Sequence, residues 1–113
     1  MGIFSKKTIA LTSDKELMNF WCWFNNYQQS IVDMFGSKDN MIVEKVLNDV
    51  DNSLLKVFPL TKKNLQFEFG YNKNTGMRQL FIFHLGENYI KMNAEKLAEV
   101  KPNDLKWDVI VTK

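Results

Sequence analysis

Between Leu17 and Val32 the chain carries no charged side chain, and Phe20, Trp21, Trp23, Phe24 and Tyr27 fall within eight residues of one another. Positions 17, 20, 21, 24, 28, 31 and 35 recur at the spacing i, i+3, i+4, i+7, and all but Gln28 are large and apolar. A strand would divide these residues between two faces, whereas a helix gathers them into one stripe. Rings in such number must be buried against a second layer, so the rest of the chain is expected to build a core on this helix. The run also holds Asn19, Asn25, Asn26, Gln28 and Gln29, which is too polar for a bilayer span, and membrane insertion is not expected.

The flanking residues set the limits of that helix. Ser13-Asp14-Lys15-Glu16 matches the capping box, in which the Ser13 hydroxyl accepts from a first-turn N–H and Asp14 and Glu16 meet the positive end of the helix dipole. Gly36 is expected to stop the helix in a left-handed conformation. After a short hinge, with Ser37 or Asp39 as cap, Ile42, Val43, Val46, Leu47, Val50, Leu54 and Phe58 repeat the helical period as far as Pro59. So brief a connection predicts an antiparallel helical hairpin over residues 14–58.

The apolar period then falls to two. Leu65, Phe67, Phe69 and Tyr71 alternate with Asn64, Gln66, Glu68 and Gly70, and the turn Asn72-Lys73-Asn74-Thr75-Gly76 leads into a second strand from Met77 to Leu85. Leu80-Phe81-Ile82-Phe83 puts large groups on both faces, as a central strand requires. A third strand is possible over Tyr89–Met92, then a short helix capped by Asn93 and stopped before Pro102, and a last strand over Lys106–Thr112. Residues 1–12 read as a lead-in. The fold class expected is α+β: one domain over 1–113, with the two-helix hairpin on one face of a 3–4-stranded antiparallel sheet spanning 64–112, and a short helix before the last strand (α-α-β-β-(β)-α-β).

These features together resemble a group of small uncharacterised bacterial α+β domains. The resemblance is carried by the aromatic first helix Phe20-Trp21-x-Trp23-Phe24, the second helix ending at Phe58-Pro59, the strand Leu65-Gln66-Phe67-Glu68-Phe69-Gly70, and the terminal Trp107-Asp108-Val109-Ile110-Val111. It spans most of the chain and implies the hairpin-on-sheet fold. It implies no activity, and Glu99-Val100-Lys101-Pro102 departs from the Ala-Pro that ends the short helix in that group.

Charge and chemistry narrow the function. The net charge is only +2, which argues against a nucleic-acid partner that would need phosphate neutralisation. It is unevenly spread: residues 14–55 hold seven acids and three bases, whereas residues 56–113 hold ten bases and six acids. Cys22 is alone, so no intramolecular disulfide is expected, and a cytoplasmic setting is the expectation. The start of the chain has no apolar run of signal-peptide length, and Lys6 stands where a myristoylation signal wants Ser or Thr.

His84, the single histidine, sits in a strand pattern without a local nucleophile signature, and one His with one Cys does not supply a zinc site. Asp49-Val50-Asp51-Asn52-Ser53 opens like a calcium loop, but Leu54 and Leu60 occupy the positions that need Gly and Glu. No catalytic, metal-binding or cofactor-binding residues are therefore expected, and no cofactor. The aromatic strands near Lys62, Lys63, Lys73 and Arg78 lack the basic-Gly-aromatic order of an RNA-binding strand.

Two helices cover one face of a sheet, which leaves rings for a partner. Trp23, Tyr27, Leu80 and Ile82 are the candidate interface residues. The expected function is a small soluble protein-binding module, not an enzyme, whose partner is another protein or a second copy. An inhibitor of immunity type or an accessory binding protein would be such a module. The alternative is a small-ligand-binding or enzymatic domain, with a pocket between the first helix and the sheet in which His84 and Tyr27 are the polar groups.

Overall fold

Ser13 begins the first helix as its position requires. Its backbone is extended (φ −65°, ψ 152°) and its Oγ accepts from the Glu16 N–H at 3.3 Å, opening α1, Asp14–Phe35. These contacts come from a computed structural model, which describes residues 9–61 and 65–113. The Asn64 start expected for the first strand, and Lys62 and Lys63, lie outside the described residues, as do residues 1–8 of the lead-in.

Gly36 ends α1 differently from expectation, with right-handed angles (φ −91°, ψ −4°). The helix closes instead by tight turns, Gly36 N–H to Asp33 O at 3.1 Å and Ser37 N–H to Met34 O at 3.0 Å, so no left-handed residue is needed. Asp39 then caps α2, Asn40–Val57, accepting from the Met41 N–H at 2.9 Å. The two helices form the expected hairpin, with Leu17, Phe20, Trp21, Phe24, Ile31 and Met34 of α1 and Val46, Val50, Leu54 and Val57 of α2 all buried in the common core.

β1, Gln66–Asn72, and β2, Met77–Phe83, form an antiparallel hairpin in which Phe67 lies opposite Ile82 and Phe69 opposite Leu80. β2 stops before the expected Leu85, because Leu85 (φ 55°) and Gly86 (φ 82°) are left-handed and turn the chain. The expected third strand at Tyr89–Met92 does not form. Those residues open α3, Asn88–Glu99, whose Ile90, Ala94 and Leu97 are buried at helical spacing. Asn93, expected as a cap, is a wholly buried residue inside that helix.

The helix also decides the sense of the last strand. A chain that leaves β2, passes through twelve helical residues and returns can enter the sheet at the end where β2 began. β3, Trp107–Thr112, accordingly runs parallel to β2, and among the described residues the sheet is three-stranded and mixed, in the order β1-β2-β3, rather than wholly antiparallel. The α+β class, the helical hairpin and the helix before the last strand are as the sequence predicts.

Facing residues of paired strands share a face, so the register assigns every side chain of the sheet. Leu80 and Ile82 lie on the face of Phe67, Phe69, Trp107, Val109 and Val111, against the helices, and both are fully buried. Phe81 and Phe83 point the other way, where their rings stack at 6.5 Å with 14° between planes. Leu80 and Ile82, expected from the sequence as interface residues, are therefore core, and Phe81 and Phe83 lie on the face away from α1. The Phe81 ring fills the gap over Gly70, where an added Cβ would stand 2.8 Å from Phe81 Cε2.

Polar bonds lock the layers. The Trp21 indole N–H donates to Leu97 O at 2.9 Å, tying α1 to α3. The Trp107 indole N–H donates to Gln28 Oε1 at 3.2 Å, which explains the one polar residue in the α1 stripe. Asn93 accepts from the Thr12 N–H at 2.7 Å and donates to Ala10 O at 3.0 Å, strapping the lead-in across α3.

Candidate functional site

The helical layer and the sheet do not end together. α1 reaches its last turn beside β1, where its exposed face at Phe35 meets Phe69 only ring edge to ring, at 5.9 Å and 87°. Phe35 is 59% exposed, although sequence spacing put it in the core stripe. α2 starts at the same place, and Met41, Ile42 and Leu47 are exposed there, with Val43 half-buried. Tyr71, at the end of β1, is also 59% exposed. Phe35, Leu47 and Tyr71 are thus large exposed apolar residues gathered at the clefts beside β1.

Two clefts share Phe35 there. One, of about 600 Å³, is lined by Met34, Phe35, Ser37, Val43 and Leu47 from the helices and by Phe67, Glu68 and Phe69 from β1. The other, of about 380 Å³, is lined by Val32, Phe35, Gly70, Tyr71 and Arg78. Five successive residues of β1, Phe67 to Tyr71, thus touch one cleft or the other. Successive strand side chains point to opposite faces, so a groove reaching all of them takes in the backbone edge of the strand. β1 pairs only with β2 among the described residues, and every second N–H and C=O of an edge strand points away from its neighbour.

The residues singled out in the sequence lie elsewhere. Leu80 and Ile82 are sealed in the core, so they present no surface to a partner. Trp23 and Tyr27 are half-buried and stack on each other, 4.8 Å apart with 20° between planes. The Tyr27 hydroxyl donates to Asp49 Oδ2 at 2.5 Å, and Lys45 Nζ reaches the same oxygen at 2.9 Å, so the group joins α1 to α2. Burial, then the bond to the Asp49 carboxylate, pushes the Tyr27 phenol up to about 12. The Tyr27 bond, followed by Lys45, holds Asp49 below the usual carboxylate range. Trp23 also forms one wall of an open cleft of about 320 Å³ between α1 and α2, with Glu16, Asn19, Ser53 and Lys56 around it.

His84 stands past the end of β2, where its N–H still donates to Thr112 O at 2.9 Å. Its Nδ1 accepts from the Gly86 N–H at 3.0 Å, which makes it a brace for the turn into α3. It lines neither groove, and Tyr27 is committed to Asp49, so these two do not form the polar set of a pocket under α1.

Sequence reasoning missed Phe35 and Leu47 because both fit the apolar stripes of their helices. No local signal marks either residue, because its exposure is set by where β1 lies relative to the two helices. Against known proteins the chain matches no family model, no curated protein and no solved structure. No helix of the described residues is long and apolar enough to cross a membrane.

Proposed function

We propose that this domain is a protein-binding module that works by holding a partner's chain in the groove along β1, rather than an enzyme. The observation that carries this reading is the concentration of Phe35, Leu47 and Tyr71 around two clefts at the edge of β1 that has no partner strand among the described residues. Exposed apolar surface of this kind is costly to keep in water and marks interaction sites. Phe35 and Tyr71 are the aromatic type that anchors interfaces. Cys22, single and exposed, suits a reducing compartment, and we place the module's action in the cytoplasm. An inhibitor or accessory protein of the kind found among small bacterial domains would act in this way.

The test is selection from a display library of random peptides against the wild-type protein, with counter-selection against the double variant Phe35→Ser, Leu47→Ser. Both side chains are exposed enough that the variant should stay folded with a somewhat lower unfolding midpoint, each change costing about 0.5–1 kcal/mol. Enrichment of apolar peptides that bind wild type and not the folded variant supports the reading. Peptides that bind both equally, or none at all, overturn it. A second reading places a small ligand in the cleft walled by Trp23, and binding there would survive the double variant and fail in Trp23→Ala.

A further inference from the structure

The groove has the shape of a missing strand. The geometry points to strand addition: the occupant is an extended segment of a partner protein, with apolar side chains at alternate positions and basic ones between, pairing with the edge of β1 that has no partner strand among the described residues. This rests on the protein-binding reading and says how that binding is made.

Two observations argue for it. The cleft reaches Phe67, Glu68 and Phe69 in succession, so its floor includes the backbone edge, where outward N–H and C=O groups await partners. A strand laid along that edge would sit at a spacing of about 4.8 Å from β1 and direct every second side chain toward the helices. On that side wait Phe35, Val43 and Leu47, apolar and incompletely covered. The main chain would supply the affinity and the alternation the selectivity.

Charge defines the rest of the occupant. Glu68 pairs with Phe81, so its carboxylate lies on the face of the sheet away from the helices. The side chains of the segment that alternate with the apolar ones point to that same face, and a carboxylate beside them favours positive groups there. A second copy of this domain is a poorer occupant. Pairing edge to edge about a two-fold axis normal to the sheet, it would bring its own α2 to the side where α2 of the first already stands.

The probe is the acetylated and amidated heptapeptide Lys-Val-Lys-Val-Lys-Val-Lys, titrated into the isotope-labelled protein. Amide shifts should gather on residues 66–72 and around Phe35, Val43 and Leu47, with slowed exchange at alternate amides of β1. Two N-methylated forms then read the parity. In an added strand all valine N–H groups point one way and all lysine N–H groups the other. One methylated form should lose about tenfold or more in affinity and the other should bind unchanged. Replacing the lysines by glutamates should also weaken binding about tenfold, less so at high salt.

Equal loss from both methylated forms, no parity in exchange, or no shifts along β1 overturns strand addition. If an amphipathic helical peptide binds this groove where the strand peptide does not, strand addition fails and the protein-binding reading stands. If neither binds and display yields no groove-dependent peptide, the reading itself fails. Reversible dimerisation through β1, seen by sedimentation, would replace the partner segment by a second copy and overturn the occupant proposed.

Discussion

Replacing Asn93 by Ala removes the joint between the lead-in and α3, and its cost can be worked out bond by bond. The side chain is fully buried and makes three hydrogen bonds, accepting from the Thr12 N–H and donating to Ala10 O and Tyr89 O. Tyr89 O lies one helical turn back, where it already serves the helix ladder, so that bond adds little. Each of the two long-range bonds contributes about 1 kcal/mol net. The Thr12 N–H, on a residue only 8% exposed, is left without its acceptor at a further cost of about 1–3 kcal/mol. The sum is about 3–5 kcal/mol, a large share of the roughly 5–15 kcal/mol that holds a domain together. Urea unfolding of wild type and Asn93→Ala measures it directly, with hydrogen exchange at Thr12 as a local reporter. A loss below about 1 kcal/mol with Thr12 still protected would show that the strap is not held by Asn93, and the reasoning would fail.

Three further outcomes follow from the packing. Leu80→Ala should cost about 2–5 kcal/mol in thermal or urea unfolding and Phe81→Ala distinctly less, because the first empties a sealed core site and the second trims the half-exposed far face; equal costs would reverse the assignment of faces. Gln28→Leu should cost about 1–3 kcal/mol by orphaning the Trp107 indole N–H, and a change in tryptophan emission should accompany it. Tyr27→Phe should remove a pH dependence: the phenol is raised from 10.0 to about 12, so its contribution is complete below pH 10 and lost as pH climbs towards 12. Asp49 is lowered from 3.8, so its contribution is present above that value and lost as pH falls through the lower folded value; unfolding across pH in wild type and Tyr27→Phe checks both limbs.

Local chemistry made much of this fold legible. Ser13, Asp39 and the apolar stripes set both helices within a residue or so, because caps and period act over a few positions. The faces of β2 were not legible. Leu80-Phe81-Ile82-Phe83 is apolar throughout, so alternation gives no parity, and the register comes from the hairpin in which Asn72 pairs with Met77. Tyr89-Ile90-Lys91-Met92 alternates like a strand, yet with Ala94 and Leu97 it also fits a helix, and burial against the core chose the helix. That choice made β3 parallel and narrowed the sheet. The candidate groove was not legible either: Phe35 and Leu47 sit at apolar stripe positions, and their exposure depends on where β1 lies beside the helices, which is a property of the whole topology and not of any local motif.

The most direct measurement is a chemical-shift map of the protein with a display-selected peptide bound, set beside unfolding curves for Phe35→Ser and Leu47→Ser. The account predicts perturbed amides along β1 from Phe67 to Tyr71 and at Phe35, Val43 and Leu47, with binding lost in both variants while their unfolding midpoints stay near that of wild type. A map centred on Trp23 and Tyr27, or on Phe81 and Phe83 across the far face of the sheet, would contradict it.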